Sequence, residues 1–388
     1  GLGDVYKRQG LSSIHWREAW KYGERAFRYC QHDIGHAIAA VRYAAALLGW
    51  QVKLLDHWGD DQTATILGLD RAQDFGRAEA EHADLMLQIT AGSVATELVS
   101  PDNLLTAARF GHWQGEANVL SEDHSHQWPL IDTVADACHK APTAAETPWL
   151  SPQLPEPLPS ACTLAADALI RQRRSAQAFD GKTGISRDCF FRMLDMTLPR
   201  TNVVPWDVTG WSPYVHLLLF VHRVDGLAPG LYLLLRNSAS ADKLKAALGR
   251  DFSWQVVPDA PAHLPLFQLL AADVREAAQT LSCHQEIAAD GAFSLGMLAE
   301  FQDTLGQAPW RYRRLFWETG MIGQVLYLEA EAAGLRGTGI GCFFDDGVHD
   351  MLALKEHGLQ SLYHFTLGGS LTDDRLQTLP PYAHLQGR

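Results

Sequence analysis

The feature that most constrains the fold of this 388-residue chain is an internal repeat. Residues 27–69 align without a gap on residues 312–354, at a constant offset of 285 positions (312 − 27 and 354 − 69). Self-similarity at a fixed offset predicts two copies of one structural unit. The identical aligned residues are Arg28 and Arg313, Gly35 and Gly320, Ala45 and Ala330, Gly49 and Gly334, Asp60-Asp61 and Asp345-Asp346, Leu67 and Leu352, and Leu69 and Leu354.

Both copies have the same predicted order of elements. A long helix leads into a turn, an extended stretch, the Asp-Asp pair and a short helix, and a strand follows near Leu85–Thr90 or Leu362–Leu367. Alanine-rich runs favour the long helices, and Gly49 and Gly334 lie where a glycine commonly ends a helix. Two unrelated alanine-rich helices would not share the downstream Asp-Asp and Leu-x-Leu patterns, so duplication is the better interpretation.

The first copy is predicted to lack its beginning. In the second copy, a helix predicted at Thr163–Arg174 starts about 150 positions before Tyr312, whereas fewer than 30 residues precede Phe27. Gly1–Gln9 has neither an initiating methionine nor a signal-peptide pattern. We interpret Gly1–Gln9 as an appended stretch and exclude it from the predicted fold.

The repeat and the prolines divide the chain into three predicted regions. Six prolines between residues 142 and 159 favour a semi-rigid extended linker. Residues 104–139, before that linker, are predicted to be helical with a His/Trp-rich middle at 111–128. The regions are the end of a first copy at 10–100, a helical segment with the linker at 101–160, and a complete second copy at 161–388.

Composition excludes several classes of function. The formal net charge of −13 leaves no basic stripe to neutralise phosphates, so no nucleic-acid partner is expected. No apolar run reaches the ~18 residues that a membrane span needs, so no membrane association is expected. The six cysteines are scattered without a Cys-x-x-Cys pair. This pattern suits a reducing compartment, so we expect a cytoplasmic protein.

The second copy mixes helices and strands without regular βαβ alternation, which predicts an α+β fold. Ser186 is the predicted N-cap of a helix, and Asp225–Gly230 is the predicted turn between two strands. The strands are predicted at Tyr214–Val224, Leu231–Leu235 and Ser282–Ile287, and further helices at Leu264–Gln268, Asp273–Leu281 and Phe293–Phe301.

The sharpest chemical motif is Arg173-Arg174-Ser175, followed by Phe179-Asp180. Two guanidinium groups and a hydroxyl at the end of a helix can bind an anion, because the arginine fork matches a phosphate or the polar edge of a flavin ring. The alternative is a solvated basic patch of the kind that most proteins carry.

This motif resembles the Arg-Arg-Ser-x-Arg/Lys-x-Phe signature of the nitroreductase superfamily, over Thr163–Gly369 and more weakly back to Phe27. The resemblance implies an antiparallel-rich sheet flanked by helices, and FMN sites at a dimer interface. The two copies would then form an intrachain pseudo-dimer. It also implies that Arg173, Arg174 and Ser175 bind FMN, with Gln177 at the last basic position of the signature.

Three further segments, Val224–Tyr232, Glu318–Leu335 and Gly337–Asp346, are similar to the SagB-type branch, which includes azoline oxidases. That similarity implies that Gly339, Ile340 and Gly341 bring backbone close to the flavin, since a side chain there would clash. The alternative for this loop is a tight helix-to-strand turn.

Two more FMN contacts follow from position in this family. Arg375, after Gly368-Gly369, lies where relatives often complete the phosphate site. Where the SagB-type branch has a Ser/Gly-rich stretch, this chain has Arg200-Thr201-Asn202, in which Arg200 and Asn202 could serve as contacts and Asn202 is the candidate kept for the site.

Lys21-Tyr22 resembles the Lys-Tyr pair of azoline oxidases, which implies a base and an acid beside the flavin. A partly buried, positively biased pocket would lower the pKa of Lys21. The alternative is an amphipathic lead-in to the first long helix. His32 and His36 mimic a zinc-binding helix, but the repeat puts Trp317 and Met321 at these positions, which predicts helix packing.

The sequence therefore predicts an FMN-dependent oxidoreductase that transfers hydride through flavin N5 to or from a small organic or peptide-derived substrate. NAD(P)H would be a transient donor, because the chain has no dinucleotide-binding glycine motif. Only the site anchored by Arg173–Ser175 can be complete. Two alternatives stay open: an NAD(P)H-dependent nitro or quinone reductase, and a flavin-free docking subunit of a peptide-modifying complex.

Overall fold

The computed structural model describes residues 6–91, 100–249, 251–354 and 356–385. Its strands are β1 (Tyr6–Ser13), β2 (Trp50–Leu54), β3 (His82–Ala91), β4 (Val215–Val221), β5 (Gly230–Leu234), β6 (Gln255–Val256), β7 (Leu266–Ala271), β8 (Phe293–Glu300), β9 (Arg336–Ile340) and β10 (Leu359–Gly368). Its α-helices are α1 (His15–Tyr22), α2 (Ala26–Leu47), α3 (Asp60–Leu67), α4 (Ala72–Phe75), α5 (Asp102–Phe110), α6 (Pro129–Ala137), α7 (Ala166–Gln172), α8 (Arg187–Met196), α9 (Ala241–Ala247), α10 (Arg275–Leu281), α11 (Ile287–Asp290), α12 (Gln302–Gln307), α13 (Arg311–Ala332) and α14 (Asp345–Leu352). None of these helices is both long and apolar enough to cross a bilayer.

The chain forms two compact units that interleave along the sequence. Unit 1 comprises Gly1–Ser151, Thr201–Ser212 and Thr304–Met321, and unit 2 comprises Pro152–Arg200, Pro213–Asp303 and Ile322–Arg388. Helix α13 therefore contributes its first half to unit 1 and its second half to unit 2. The predicted linear division at residues 100 and 160 describes the repeat and stays a prediction, whereas the units describe which residues pack together.

Unit 1 contains a three-stranded antiparallel sheet in the order β1-β3-β2. In β1, Lys7 pairs with Ile89 and Gln9 pairs with Leu87 of β3. The interpretation of Gly1–Gln9 as outside the fold is therefore wrong for residues 6–9, while residues 1–5 lie outside the described residues. Strand β3 holds the predicted Leu85–Thr90 segment and is the central strand of this sheet.

The offset of 285 reappears in the observed elements. Helices α2 and α13 begin at Ala26 and Arg311 and end at Leu47 and Ala332, so both ends differ by 285 positions. Helices α3 and α14 begin and end at the same offset. Strand β9 begins one residue later than the position that corresponds to the start of β2. The predicted order of long helix, strand and short helix is present in both segments.

Within unit 1, α2 crosses the first half of α13 at Gly35 and Gly320, which are aligned in the repeat. A Cβ added at Gly35 would lie 2.8 Å from the Cα of Gly320, and a Cβ added at Gly320 would lie 2.8 Å from the Cα of Gly35. Each would also overlap a carbonyl oxygen, of Trp317 or of His32. This contact is reciprocal, as at a two-fold axis. Only glycine lets the two backbones approach this closely.

Unit 2 contains a seven-stranded sheet in the order β6-β7-β5-β4-β8-β10-β9. Every neighbouring pair is antiparallel. All residues of β4 and β8 are buried, so the middle of the sheet is covered on both faces. The α+β prediction and its antiparallel-rich sheet are confirmed.

Three predicted elements of unit 2 are wrong. Phe293–Phe301 is strand β8 and not a helix, and the helix predicted at Leu264–Gln268 is largely strand β7. Ser282–Ile287, predicted as a strand, is a turn leading into α11. The run at β8 is continuously apolar, because both faces of the strand are buried, and periodicity cannot distinguish such a strand from a buried helix.

Other local predictions for unit 2 are confirmed. The Ser186 hydroxyl accepts a hydrogen bond from the Cys189 amide at 3.2 Å and caps α8. Strands β4 and β5 form the predicted hairpin around Asp225–Gly230. Helix α10 covers most of the segment predicted at Asp273–Leu281.

Only α5 and α6 are helical between residues 104 and 139, and the His/Trp-rich stretch 111–128 is irregular. The buried Glu79 carboxylate accepts hydrogen bonds from the amides of Leu120 at 2.8 Å and Ser121 at 2.9 Å, and lies 2.9 Å from His124 Nε2. Burial alone would raise the pKa of Glu79, but these hydrogen bonds outweigh it and lower the pKa to about 2.

Replacing Glu79 with glutamine is expected to lower the free energy of unfolding at neutral pH by about 1–3 kcal/mol, because buried donors lose a charged acceptor. The folded-state pKa lies below the ordinary 4.5, so the carboxylate stabilises the fold above that pH, and this contribution is lost as the pH falls towards 2. Urea unfolding at neutral pH and at about pH 3 measures the difference, which should shrink in acid.

The matched control is Glu122→Gln, an exposed carboxylate on the same stretch. It is expected to change the free energy of unfolding by less than about 0.5 kcal/mol at either pH. Equal effects of the two substitutions would contradict the role assigned to Glu79.

Candidate functional site

The Arg173–Ala176 segment lies along the edge strand β9 in unit 2. Ser175 forms a parallel bridge with Gly337, and the Ala176 amide donates a hydrogen bond to the Gly337 carbonyl at 3.1 Å. The Thr338 hydroxyl donates to the Ala176 carbonyl at 2.6 Å. Two motifs about 160 positions apart in the sequence are thus joined by backbone pairing.

Tyr327 of α13 forms hydrogen bonds with both of these segments. Its phenol oxygen accepts hydrogen bonds from the Ser175 hydroxyl at 3.0 Å and from the Gly339 amide at 2.9 Å. The Arg173 guanidinium lies 4.8 Å from the centre of the Tyr327 ring, in cation–π contact. We call Arg173, Ser175, Tyr327 and Gly337–Gly341 the β9 site.

Close packing within unit 2 explains why residues 337 and 339 of β9 are glycine. A Cβ added at Gly337 would lie 2.8 Å from the Phe365 ring, and one added at Gly339 would overlap the Tyr363 hydroxyl. Ile340 is buried in the hydrophobic core of unit 2. Gly339 and Ile340 can therefore offer a ligand only backbone atoms, and close packing on Tyr363 and Phe365 accounts for glycine at 337 and 339.

The other residues predicted for the FMN phosphate are already engaged or exposed. Arg174 donates to the carbonyls of Arg171 at 3.0 Å, Arg173 at 2.8 Å and Leu379 at 3.4 Å, so its guanidinium binds backbone at the end of α7. Arg375, with a side chain 89% exposed, pairs with Asp373 at 2.7 Å. Gln177 is exposed.

Lys21 and Tyr22 lie at the exposed end of α1 in unit 1. The Lys21 ammonium is 4.9 Å from the centre of the Tyr22 ring. The hydrogen bond to Tyr22 raises the pKa of Lys21 above its ordinary value. The expected partly buried pocket with a lowered pKa is therefore wrong, because water surrounds the side chain and its nearest partner favours the charged form.

His32 lies in the contact between α2 and α13. Its Nδ1 is 2.9 Å from the Thr319 hydroxyl, and its ring meets the Phe316 ring edge-on at 5.0 Å. The related contact across the helix crossing joins Trp317 Nε1 to the Gln31 side chain at 2.7 Å. These contacts account for His32 as a packing residue. The described residues contain no group of His, Cys, Asp or Glu side chains arranged to hold a metal ion.

Unit 1 contains a cavity of about 750 Å³ beside β2, which is the counterpart of β9 at the repeat offset. Asn202 lines this β2 cavity and is exposed, so the structure groups it with β2 and not with Arg173. The volume lies within the ~300–1,000 Å³ of ordinary small-molecule sites. The other lining residues are Arg42, Gln51, Val52, Lys53, Leu54, Asp56, His57, Ala145, Glu146, Pro148, Thr201, Asp207, Val208, Thr209 and Gly210.

Arg42 is the buried cation of the β2 cavity. It donates to both oxygens of Asp207, at 2.9 and 2.8 Å, and to the Trp50 carbonyl at 2.9 Å. The side chains of Arg42 and Asp207 are only 5% and 15% exposed. Arg42 is aligned with Tyr327 in the repeat, and each residue reaches the strand that follows its own helix.

Comparison with known proteins identifies the fold family that this architecture resembles. No family model matches the chain, and no curated protein matches it. The solved structure of a "putative nitroreductase" from Anabaena variabilis aligns with 94% of this chain and 69% of its own length, at 21% identity and a TM-score of 0.63. The chain has a nitroreductase-like fold. At this identity the likeness establishes the fold and not the activity.

Two other solved structures align over shorter parts of the chain. A "putative nitroreductase" from Ralstonia eutropha covers 59% of this chain and 97% of its own, at 17% identity and a TM-score of 0.37. The E. coli microcin synthetase McbBCD complex with truncated pro-MccB17 bound covers 66% and 85%, at 15% identity and a TM-score of 0.38. Scores this low support no further argument.

Two residues of these candidate sites, Tyr327 and Arg42, were not predicted from the sequence. Both are large polar side chains at one aligned position of the long helices, facing the strand that follows. The signal available in the sequence was their alignment: a position that is polar in both copies, within otherwise alanine-rich helices, is unlike its neighbours.

Proposed function

We propose that this chain is an FMN-dependent oxidoreductase that binds flavin at the β9 site. The observation that carries the proposal is the pairing of Arg173–Ala176 with Gly337–Thr338 around Tyr327. The resemblance to the nitroreductase superfamily implies that both segments contact flavin, and the fold brings the two segments together. The nitroreductase-like fold is the second support.

The residues of the β9 site fit the polar parts of FMN. Arg173 is half-buried and supplies a fixed positive charge, and the exposed Ser175 supplies a hydroxyl. The partly exposed Gly339 and Gly341 supply backbone without side chains. When bound, FMN would supply the hydride chemistry at its N5 atom. The chain would hold the phosphate and place positive charge near the ring.

Other predicted residues keep secondary roles in this proposal. Gln177 would donate a hydrogen bond to the ring edge, and Arg375 would have to leave Asp373 to reach a phosphate. Lys21 and Tyr22 would exchange protons with the substrate, and Lys21 would be the donor, because its raised pKa keeps it charged. Asn202, which lines the β2 cavity, would supply a further polar contact for FMN.

We also propose that the two copies form an intrachain pseudo-dimer. The equal offsets of helices and the reciprocal contact of Gly35 with Gly320 support it. The substrate would be a small organic molecule or a peptide-derived one, as the resemblance to the SagB-type branch suggests, with NAD(P)H as a transient donor. Rapid turnover of NAD(P)H with nitro or quinone acceptors and no peptide would favour the simpler reductase.

A flavin-free docking subunit is the second candidate function. Arg174 donates hydrogen bonds to backbone carbonyls, and Arg375 pairs with Asp373. These contacts favour the docking subunit, because both guanidinium groups already have acceptors without a phosphate. The exposed Gln177 at the last basic position of the signature points the same way.

Flavin binding by the purified chain separates these candidates. We expect the chain to show a visible flavin absorption band or to quench FMN fluorescence on titration. Arg173→Gln is expected to weaken FMN binding at least about tenfold, because it removes a charge-assisted hydrogen bond. Ser175→Ala should weaken binding by a smaller factor. Titration of FMN fluorescence measures both dissociation constants.

Arg187→Gln is the matched control, since Arg187 is an arginine of unit 2 paired with Asp259 away from β9. It should leave FMN affinity unchanged. A colourless chain that does not bind added FMN would overturn the oxidoreductase proposal and favour the docking subunit. Binding that resists Arg173→Gln but is lost on Asn202→Leu would move the flavin to the β2 cavity.

A further inference from the structure

A second cavity of unit 1 is small, polar and rich in carboxylates. It has a volume of about 190 Å³, and we call it the α1–α3 cavity. Asp61, Asp136 and His139 are exposed at its mouth, whereas His15 and Asp84 are buried at its inner end. The complete lining is His15, Phe27, Gln31, Asp60, Asp61, Ala64, Leu69, Glu81, His82, Ala83, Asp84, Ala135, Asp136, His139 and Arg313.

The buried His15 side chain forms part of the wall of this cavity. It is only 5% exposed, and neither ring nitrogen has a hydrogen-bond partner among the described residues. The ring stacks on His82 at 4.3 Å and lies 5.2 Å from Phe27. Burial lowers the pKa of His15 to about 3, so the ring is neutral and one nitrogen is an unused acceptor. Leaving such a group unpaired is unfavourable, so a ligand that donates a hydrogen bond to it would be stabilised.

Asp84 is the buried carboxylate that lines the same cavity. Its oxygens accept hydrogen bonds from the Ser13 hydroxyl at 2.6 Å and the Gln31 amide at 2.8 Å. Burial raises the pKa of Asp84 to about 6, so the carboxylate is still mostly ionised at neutral pH. Within the described part of the chain it forms no salt bridge.

The net charge of the cavity lining determines whether the cavity attracts a positively or a negatively charged ligand. Among the described residues, the lining contains five carboxylates and one guanidinium group, that of Arg313. Arg313 is itself held by both oxygens of Asp60 at 2.9 Å. The remaining negative charge attracts cations and repels anions. The side chains are not arranged to hold a metal ion, as stated above for the described residues.

We propose that the α1–α3 cavity binds a small organic cation through a primary ammonium group placed between His15 and Asp84. An ammonium has three donors, which match a neutral imidazole nitrogen and a carboxylate. The volume corresponds to about six water molecules at ~30 Å³ each, which accommodates a short diamine. A second ammonium of that diamine would lie near Asp61 and Asp136 at the mouth.

Calorimetric titration of the full chain with 1,4-diaminobutane tests this proposal, with neutral 1,4-butanediol as the ligand control. We expect saturable binding of the diamine and none of the diol. His15→Leu and Asp84→Asn should each weaken binding at least about tenfold, since each removes one partner of a charged donor. His112→Ala, an exposed histidine of unit 1, should bind as the wild type does.

Thermal unfolding of the same variants separates binding from structure. Because the His15 ring nitrogens have no hydrogen-bond partner among the described residues, His15→Leu should keep or raise the melting temperature while losing the ligand. Absence of diamine binding to the wild type, equal binding of the diol, or unchanged affinity in both His15→Leu and Asp84→Asn would overturn the proposal. If His15→Leu does not fold, Asp84→Asn alone decides it.

Discussion

Replacing Gly320 with alanine is expected to destabilise unit 1 by about 2–4 kcal/mol, because the new methyl group meets backbone atoms that cannot rotate away. It would overlap the His32 carbonyl oxygen and lie 2.8 Å from the Cα of Gly35. The two helices must separate to admit it. Urea unfolding followed by tryptophan fluorescence measures the loss, since Trp317 lies in this contact.

Gly35→Ala should cost a similar amount, because the contact is reciprocal. The matched control is Gly306→Ala in α12 of the same unit, where an added Cβ meets nothing within 4 Å. That substitution is expected to be neutral or to stabilise the fold by about 0.4–1 kcal/mol. Equal effects at Gly306 and Gly320 would rule out close helix contact as the cause.

Replacing Asp207 with alanine is expected to cost about 3–5 kcal/mol, because it leaves the buried Arg42 guanidinium without its carboxylate. The double variant Arg42→Met/Asp207→Ala should recover much of that loss, since no unpaired charge remains. A double-mutant cycle measured by urea unfolding gives the coupling between the two side chains.

Asp259→Ala is the control for the buried pair. Asp259 pairs with Arg187 at 2.9 Å, but its side chain is 71% exposed, so its loss should change stability by less than about 1 kcal/mol. A double variant no more stable than Asp207→Ala would mean that Arg42 stabilises the fold by packing and not through its charge.

The sequence was sufficient to predict the repeat, a long helix in each copy, and the α+β class. Those predictions depend on an ungapped alignment and on local preferences, both of which are visible in one chain. Strand β8 was predicted wrongly because burial on both faces removes the alternation that marks a strand. Tertiary context, and not local sequence, decides such a segment.

The candidate site was predictable only in part. Arg173, Ser175 and Gly339 belong to motifs, and the fold brings them together at β9. Tyr327 and Arg42 are aligned in the repeat, but their hydrogen bonds to the strand that follows each helix are seen only in the fold. The pKa of Lys21 could not be predicted correctly, because exposure and the hydrogen bond to Tyr22 are properties of the folded chain.

The division of α13 between the two units has a consequence for dissection of the protein. Unit 1 draws its residues from three separate stretches of the chain, and its last stretch begins at Thr304. A fragment that ends anywhere before that residue would lack the helix against which Gly35 packs. The units are therefore not modules that a single cut can release, and the boundaries of an expression fragment must follow the packing of the helices.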